Sequence, residues 1–160
     1  MQTRIPSRAQ LGDALWAILG AVPVLSAILY VIDAEHFFAL TSIGSTAVLL
    51  FAAPEAPASQ PLTILVSHMM GAAIGLLLLH SVGNHAWSMA LGVALTAVLM
   101  KLFGIMHPPA GANPMIVLNI HAGWMFLLDP LGISLLIVAC GAFVWSRIRP
   151  GPRWPLGWTA

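Results

Sequence analysis

Charge is what this sequence has least of. Only 7% of its 160 residues are Asp, Glu, Lys or Arg, whereas 59% are hydrophobic and mean hydropathy is +0.93. Soluble domains carry about 25% charged residues, so the composition excludes a water-exposed globule and implies an integral membrane domain. At this length there is room for one such domain and no separate soluble one. A net charge of +1 gives no electrostatic basis for binding nucleic acid. Cysteine is scarce too: the single Cys140 lies in an apolar run, forms no intrachain disulfide and says nothing about compartment. The acids are only Asp13, Asp33, Glu35, Glu55 and Asp129, nearly all at segment ends. Ser42, Ser45 and Ser67 have no activating neighbours in the sequence, so no catalytic set emerges and an enzyme is not expected. No HxxxH, CxxC or paired carboxylate occurs on a helical face, so neither metal nor cofactor is expected.

What the chain does contain is apolar runs. Ala14–Ile32, Leu62–Gly83 and Ala86–Met106 reach the roughly 20 residues that a bilayer requires. The first is too long for a signal-peptide core and reads as a retained helix. Phe37–Ala53, Met115–Leu128 and Leu131–Ser146 are shorter. The order therefore repeats: long helix, broken short element, long helix. Gly44-Ser45-Thr46-Ala47 aligns with Gly111-Ala112-Asn113-Pro114 at an offset of 67, and Pro61-Leu62 with Pro130-Leu131 at 69. The expected fold is an all-α membrane protein with two similar halves and four to six crossings. A cytoplasmic segment 1–13 precedes the first repeat 14–83; the second repeat 84–146 is followed by a basic tail 147–160. Arg4 and Arg8 at one end and Arg147, Arg149 and Arg153 at the other place both termini in the cytoplasm, hence an even number of crossings. Six crossings would make the repeats inverted; four would make them parallel, with re-entrant short elements.

Paired Gly/Pro-interrupted segments in two halves are the sequence mark of a transporter's binding site. Gly44-Ser45-Thr46-Ala47 and Gly111-Ala112-Asn113 read as the entries of two half-helices. Their free backbone N–H groups and positive dipole ends would favour an anion. His68 and His107 are intramembrane ionisable residues and functional candidates by position, able to take up a proton near neutral pH. Gln60 and Asn119 are further polar candidates, and His121 lies two residues beyond Asn119. His80 and His85 read as interfacial, as do the tryptophans at 87, 124, 145, 154 and 158. Asp33, Glu35 and His36 form a solvated first loop. Gly71 and Gly75 have GxxxG spacing, which lets helices approach closely, within the chain or between subunits; a homo-oligomer is expected, with this stripe as a candidate contact.

MHPPAGANP (106–114), with IGSTAVLLF (43–51) and Gln60-Pro61 followed by His68, resembles the HPP family of small integral membrane proteins. The resemblance covers residues 37–120 by sequence and the flanking helices by arrangement. Family members often follow the Gln-Pro with a basic residue and Gly-Gly-His, where this chain has Leu62 and Val66-Ser67-His68. The resemblance implies four transmembrane helices and a transporter; plant chloroplast members are associated with nitrite. The function expected is therefore transport of a small inorganic anion, nitrite first, in a bacterial inner membrane. A non-transporting scaffold or sensor and a small-cation or proton-linked transporter are the alternatives, and flux with ion substitution separates all three.

Overall fold

The structure is a computed structural model that describes residues 7–32, 40–151 and 153–158. Asp33, Glu35, His36 and Arg4 lie outside the described residues. Helices account for the chain, with no strand among the described residues. In order they are α1 (Arg8–Val31), α2 (Leu40–Ala52), α3 (Pro61–Val82), α4 (Ala86–Phe103), α5 (Asn113–Asn119) and α6 (Ile133–Ile148). Tight 3₁₀ turns occupy Pro57–Ser59, Pro108–Ala112 and Trp124–Leu127. The stretches long and apolar enough to cross a membrane are Arg8–Val31, Pro61–Val82, Ala86–Phe103 and Trp124–Ile148. These spans make the chain an integral membrane protein. At 1.5 Å per residue α2 is about 20 Å long and α5 about 10 Å, against a hydrocarbon core of about 30 Å.

Local chemistry sets the helix ends. α1 begins before the apolar run because Ser7 and Gln10 form a reciprocal capping box: Gln10 N donates to Ser7 Oγ at 3.2 Å and Ser7 N to Gln10 Oε1 at 2.9 Å. Pro61 starts α3, where a missing N–H costs nothing. Gly104 ends α4 in the left-handed region, at φ 68°.

The beginning of α1 and the end of α6 meet, with Arg149 Nη2 at 3.4 Å from Asp13 Oδ1 and Trp145 Nε1 donating to Trp16 O at 3.1 Å. Trp145 is seated in a notch at Gly20, where an added Cβ would lie 2.5 Å from the indole. That tryptophan is a packing residue, not a member of an interfacial belt.

HPPAGANP is not a loose connection. It is the 3₁₀ turn and the first turn of α5, pressed against α3 and α4. A Cβ at Gly71 would stand 2.7 Å from Ala110 O, and one at Gly75 would stand 2.8 Å from Pro114 Cα and 2.9 Å from Val117 Cβ. Across the slot, a Cβ at Gly92 would meet Pro114 Cβ at 2.7 Å. Gly71 and Gly75 therefore serve an intrachain contact, the first of the two uses that their spacing allows, and not the subunit contact for which they were a candidate. The pairs also fix direction: α5 runs alongside α3 in the same sense, and at its far end Asn84 Nδ2 lies 3.5 Å from His121 Nε2.

The two short elements differ in construction. α2 is one continuous helix, while its counterpart is a 3₁₀ turn followed by seven residues. Gly44 lies in the second turn of α2, so its N–H belongs to the helix ladder and is not an entry donor. The reason is visible in the next two residues. Ser45 Oγ donates to Thr41 O at 3.3 Å and Thr46 Oγ1 lies 3.0 Å from Ser42 O, so both hydroxyls can fold back on the helix instead of capping its start.

Candidate functional site

Four of the expected residues converge. Thr46 on α2, His68 on α3, His107 before the 3₁₀ turn and Asn113 at the head of α5 are each 0% exposed. Thr46 Oγ1 lies 2.8 Å from His68 Nε2 and 2.9 Å from His107 Nε2. His107 Nδ1 is 2.6 Å from Ala58 O. Asn113 Nδ2 is 2.9 Å from His68 Nδ1 and donates to His68 O at 3.0 Å. The imidazole centroids are 5.1 Å apart. Ser67 Oγ, one residue from His68, donates to Ile105 O at 2.6 Å and ties the approach to His107 onto α3.

Donor and acceptor chemistry gives this cluster a direction. A carbonyl can only accept, so Asn113 must turn its NH₂ group toward His68 O, and the same nitrogen donates to His68 Nδ1. With both imidazoles neutral, the His68 proton is then on Nε2 and donates to Thr46 Oγ1. Ala58 O accepts from His107 Nδ1–H, which leaves His107 Nε2 as an acceptor for the Thr46 hydroxyl. The result is one chain of donors, Asn113 to His68 to Thr46 to His107 to Ala58 O, assigned from the partners each atom meets. Thr46 has one proton and two acceptors, His107 Nε2 and Ser42 O, and so can break the chain by rotation. Asn113 Oδ1 is buried without a partner, as is Thr63 Oγ1. Buried polar atoms left unpaired are uncommon and costly.

The other expected site residues are elsewhere. Ser45 is exposed, Ala47 is 0% exposed in the apolar core, and Asn119 is exposed at the far end of α5. Gly111 and Ala112 sit in the 3₁₀ turn; Gly111 faces open space where a Cβ would stand, and Ala112 packs against the core. Gln60 is fully engaged within the protein. Its Nε2 donates to Pro54 O and Ala56 O at 3.2 and 3.1 Å, and its Oε1 accepts from Leu156 N and Gly157 N at 3.1 and 3.3 Å. A substrate would find no free valence there. His80 stacks on Trp124 and His85 on Trp87, with centroids 5.7 and 5.9 Å apart. The residue that sequence reasoning missed is Trp154. It is 4% exposed, not interfacial, and its Nε1 donates to Ser59 O at 2.6 Å.

The model of the HPP transmembrane region matches residues 6–155. Two proteins of Dictyostelium discoideum, each named only as a transmembrane protein, are similar over 96% of this chain. One is 28% identical over 164 residues, 58% of its own length; the other is 27% identical over 166 residues, 53% of its length. The chain thus spans little more than half of these curated relatives. No solved structure matches it. With the HPPAGANP element seated between α3 and α4 and the match running through all six helices, the chain belongs to the HPP transmembrane family.

Proposed function

We propose that this protein carries a small inorganic anion, nitrite first, across the membrane together with a proton, through the cluster of Thr46, His68, His107 and Asn113. One observation carries the reading: two imidazoles joined by a threonine, all at 0% exposure, and the only titratable side chains buried among the described residues. Apolar side chains would fill that space at no desolvation cost, whereas intramembrane ionisable groups ordinarily mark ion or proton pathways. The pair is neutral in the closed chain described above. One added proton, shared over rings 5.1 Å apart, supplies the positive charge that a weak-acid anion needs, and release of both returns the site to neutrality. Nitrite as the substrate comes from the family resemblance. The imidazole pair takes over the role first given to two helix entries. Self-association belongs to the same reading, with a contact outside Gly71 and Gly75.

Flux into proteoliposomes tests this. Nitrite uptake should exceed that of protein-free vesicles, should be competed by small anions and not by cations, and should be insensitive to an imposed potassium diffusion potential because charge is balanced by the proton. Uptake driven by the potential would leave an unpaired anion as the transported species. Absence of any ion flux would instead favour the scaffold.

A further inference from the structure

Beyond the buried cluster, the segment after α6 makes an unusual set of long-range bonds. Trp154 O accepts from Ser146 Oγ at 3.1 Å and Arg147 Nη1 at 2.8 Å, and the Arg147 guanidinium sits 4.0 Å over the Phe143 ring. From that anchor the chain crosses to the loop between α2 and α3. Trp154 Nε1 donates to Ser59 O, Gln60 Oε1 receives Leu156 N and Gly157 N, and Leu62 N donates to Trp158 O at 3.0 Å. Leu62 N is one of the first N–H groups of α3, which the helix itself cannot satisfy. The strap thus caps α3 at Leu62 and holds residues 59 and 60 of the α2–α3 loop. The residue just before them, Ala58, supplies the carbonyl that holds His107.

We infer that segment 153–158 is a gate on the buried cluster: undocking Trp154 releases the 53–60 loop, withdraws Ala58 O from His107 and opens a path to Thr46 from the face on which Asp13 and Arg149 meet. Three features make this movement self-contained. The bonds that hold the loop to the strap are few and local, so they break together. An apolar cavity of about 300 Å³, lined by Trp154, Leu50, Ile64 and Leu135 among others, leaves the indole space to shift. The inner side of the loop is braced independently, through Ser59 Oγ donating to Ala53 O at 2.8 Å and Gln60 Nε2 to Pro54 O and Ala56 O, so the loop can move as a unit. Trp154 and Gln60 are in this sense positioning residues for His107. The inference concerns access to the cluster and stands whether or not nitrite is the solute.

The test is thiol labelling of the full chain in liposomes with a charged, membrane-impermeant maleimide, in a Cys140→Ser background. Ser59→Cys reports the loop and Thr46→Cys the cluster behind it. Both thiols should label slowly with Trp154 intact. Trp154→Ala should raise both rates at least tenfold, and Trp154→Phe, which keeps one buried ring and loses the donor, should raise both by a smaller factor. The rise should occur only with reagent on the face on which Asp13 and Arg149 meet. A strap that merely packs against the loop would expose position 59 and leave position 46 unchanged, which overturns the inference. An equal rise from both faces, the mark of general loosening, overturns it as well. If the alanine variant does not fold, the phenylalanine variant decides by the same two criteria.

Discussion

Adding one methyl group at each of three glycines should produce effects of opposite sign. At Gly75 the new Cβ would lie 2.8 Å from Pro114 Cα and 2.9 Å from Val117 Cβ, and at Gly71 2.7 Å from Ala110 O. Two of those neighbours are backbone atoms of the HPPAGANP element, which cannot rotate away. Overpacking of this kind costs about 1–3 kcal/mol. At Gly44, inside α2, nothing lies within 4 Å of the same methyl. There alanine should gain about 0.5–1 kcal/mol by removing glycine's extra backbone entropy from the unfolded chain. For a chain of this size 1 kcal/mol moves Tm by about 2–4 °C. Gly71→Ala and Gly75→Ala should therefore fall by about 2–12 °C, and Gly44→Ala should rise by about 1–4 °C. Thermal unfolding of the purified protein, followed by the loss of its monodisperse chromatographic peak, reads all three. Equal shifts at Gly44 and Gly75 would refute the seating of HPPAGANP against α3. So would unchanged stability with loss only of an oligomer, which would return the GxxxG stripe to a subunit contact.

Thr46→Val keeps the side chain's shape and removes the hydroxyl that joins the two imidazoles. It should destabilise by about 1–3 kcal/mol through unpaired ring nitrogens and cut nitrite uptake at least tenfold, whereas Thr46→Ser should retain most of both; uptake and Tm measured together check this. Ser45→Ala, on the exposed side of the same turn, should leave uptake within about twofold of the parent, and a large loss there would move the site off the Thr46 face. Reporter fusions at both ends should give the same signal, since Asp13 and Arg149 lie together at one end of the bundle, and the basic residues there should make it the cytoplasmic one. Opposite signals would require an odd number of crossings and contradict that pairing.

The long helices were legible because their runs match bilayer length, and their observed bounds fall within a few residues of the apolar segments, except where Ser7 and Gln10 extend α1. Thr46, His68, His107 and Asn113 were legible as polar residues in apolar surroundings. Their mutual contact was not, because it brings together three helices and the segment before the 3₁₀ turn, with bonded positions up to 61 residues apart. Gly44 misled for a physical reason. Glycine followed by Ser and Thr reads as a helix start in water, but away from water the helix retains its own N–H groups and the hydroxyls turn back on it. The GxxxG spacing was readable and its partner was not, since spacing says only that something comes close. Gln60 looked free because the partners of its Oε1 lie 96 and 97 residues later. The same distance hid Trp154, whose aromatic type fits an interface until its N–H is seen to reach Ser59.

If the buried imidazole pair moves a proton with the anion, nitrite entry changes the internal pH. Liposomes holding a pH-sensitive dye and the protein should acidify when external nitrite is added, one proton per nitrite taken up, well above the rate of protein-free vesicles. His107→Gln keeps a hydrogen-bonding side chain of similar reach but cannot titrate; folded to the same Tm within a few degrees, it should lose both acidification and uptake by at least tenfold. Nitrite entry without acidification, or unchanged coupled entry in His107→Gln, would rule out proton-coupled transport through the imidazole pair.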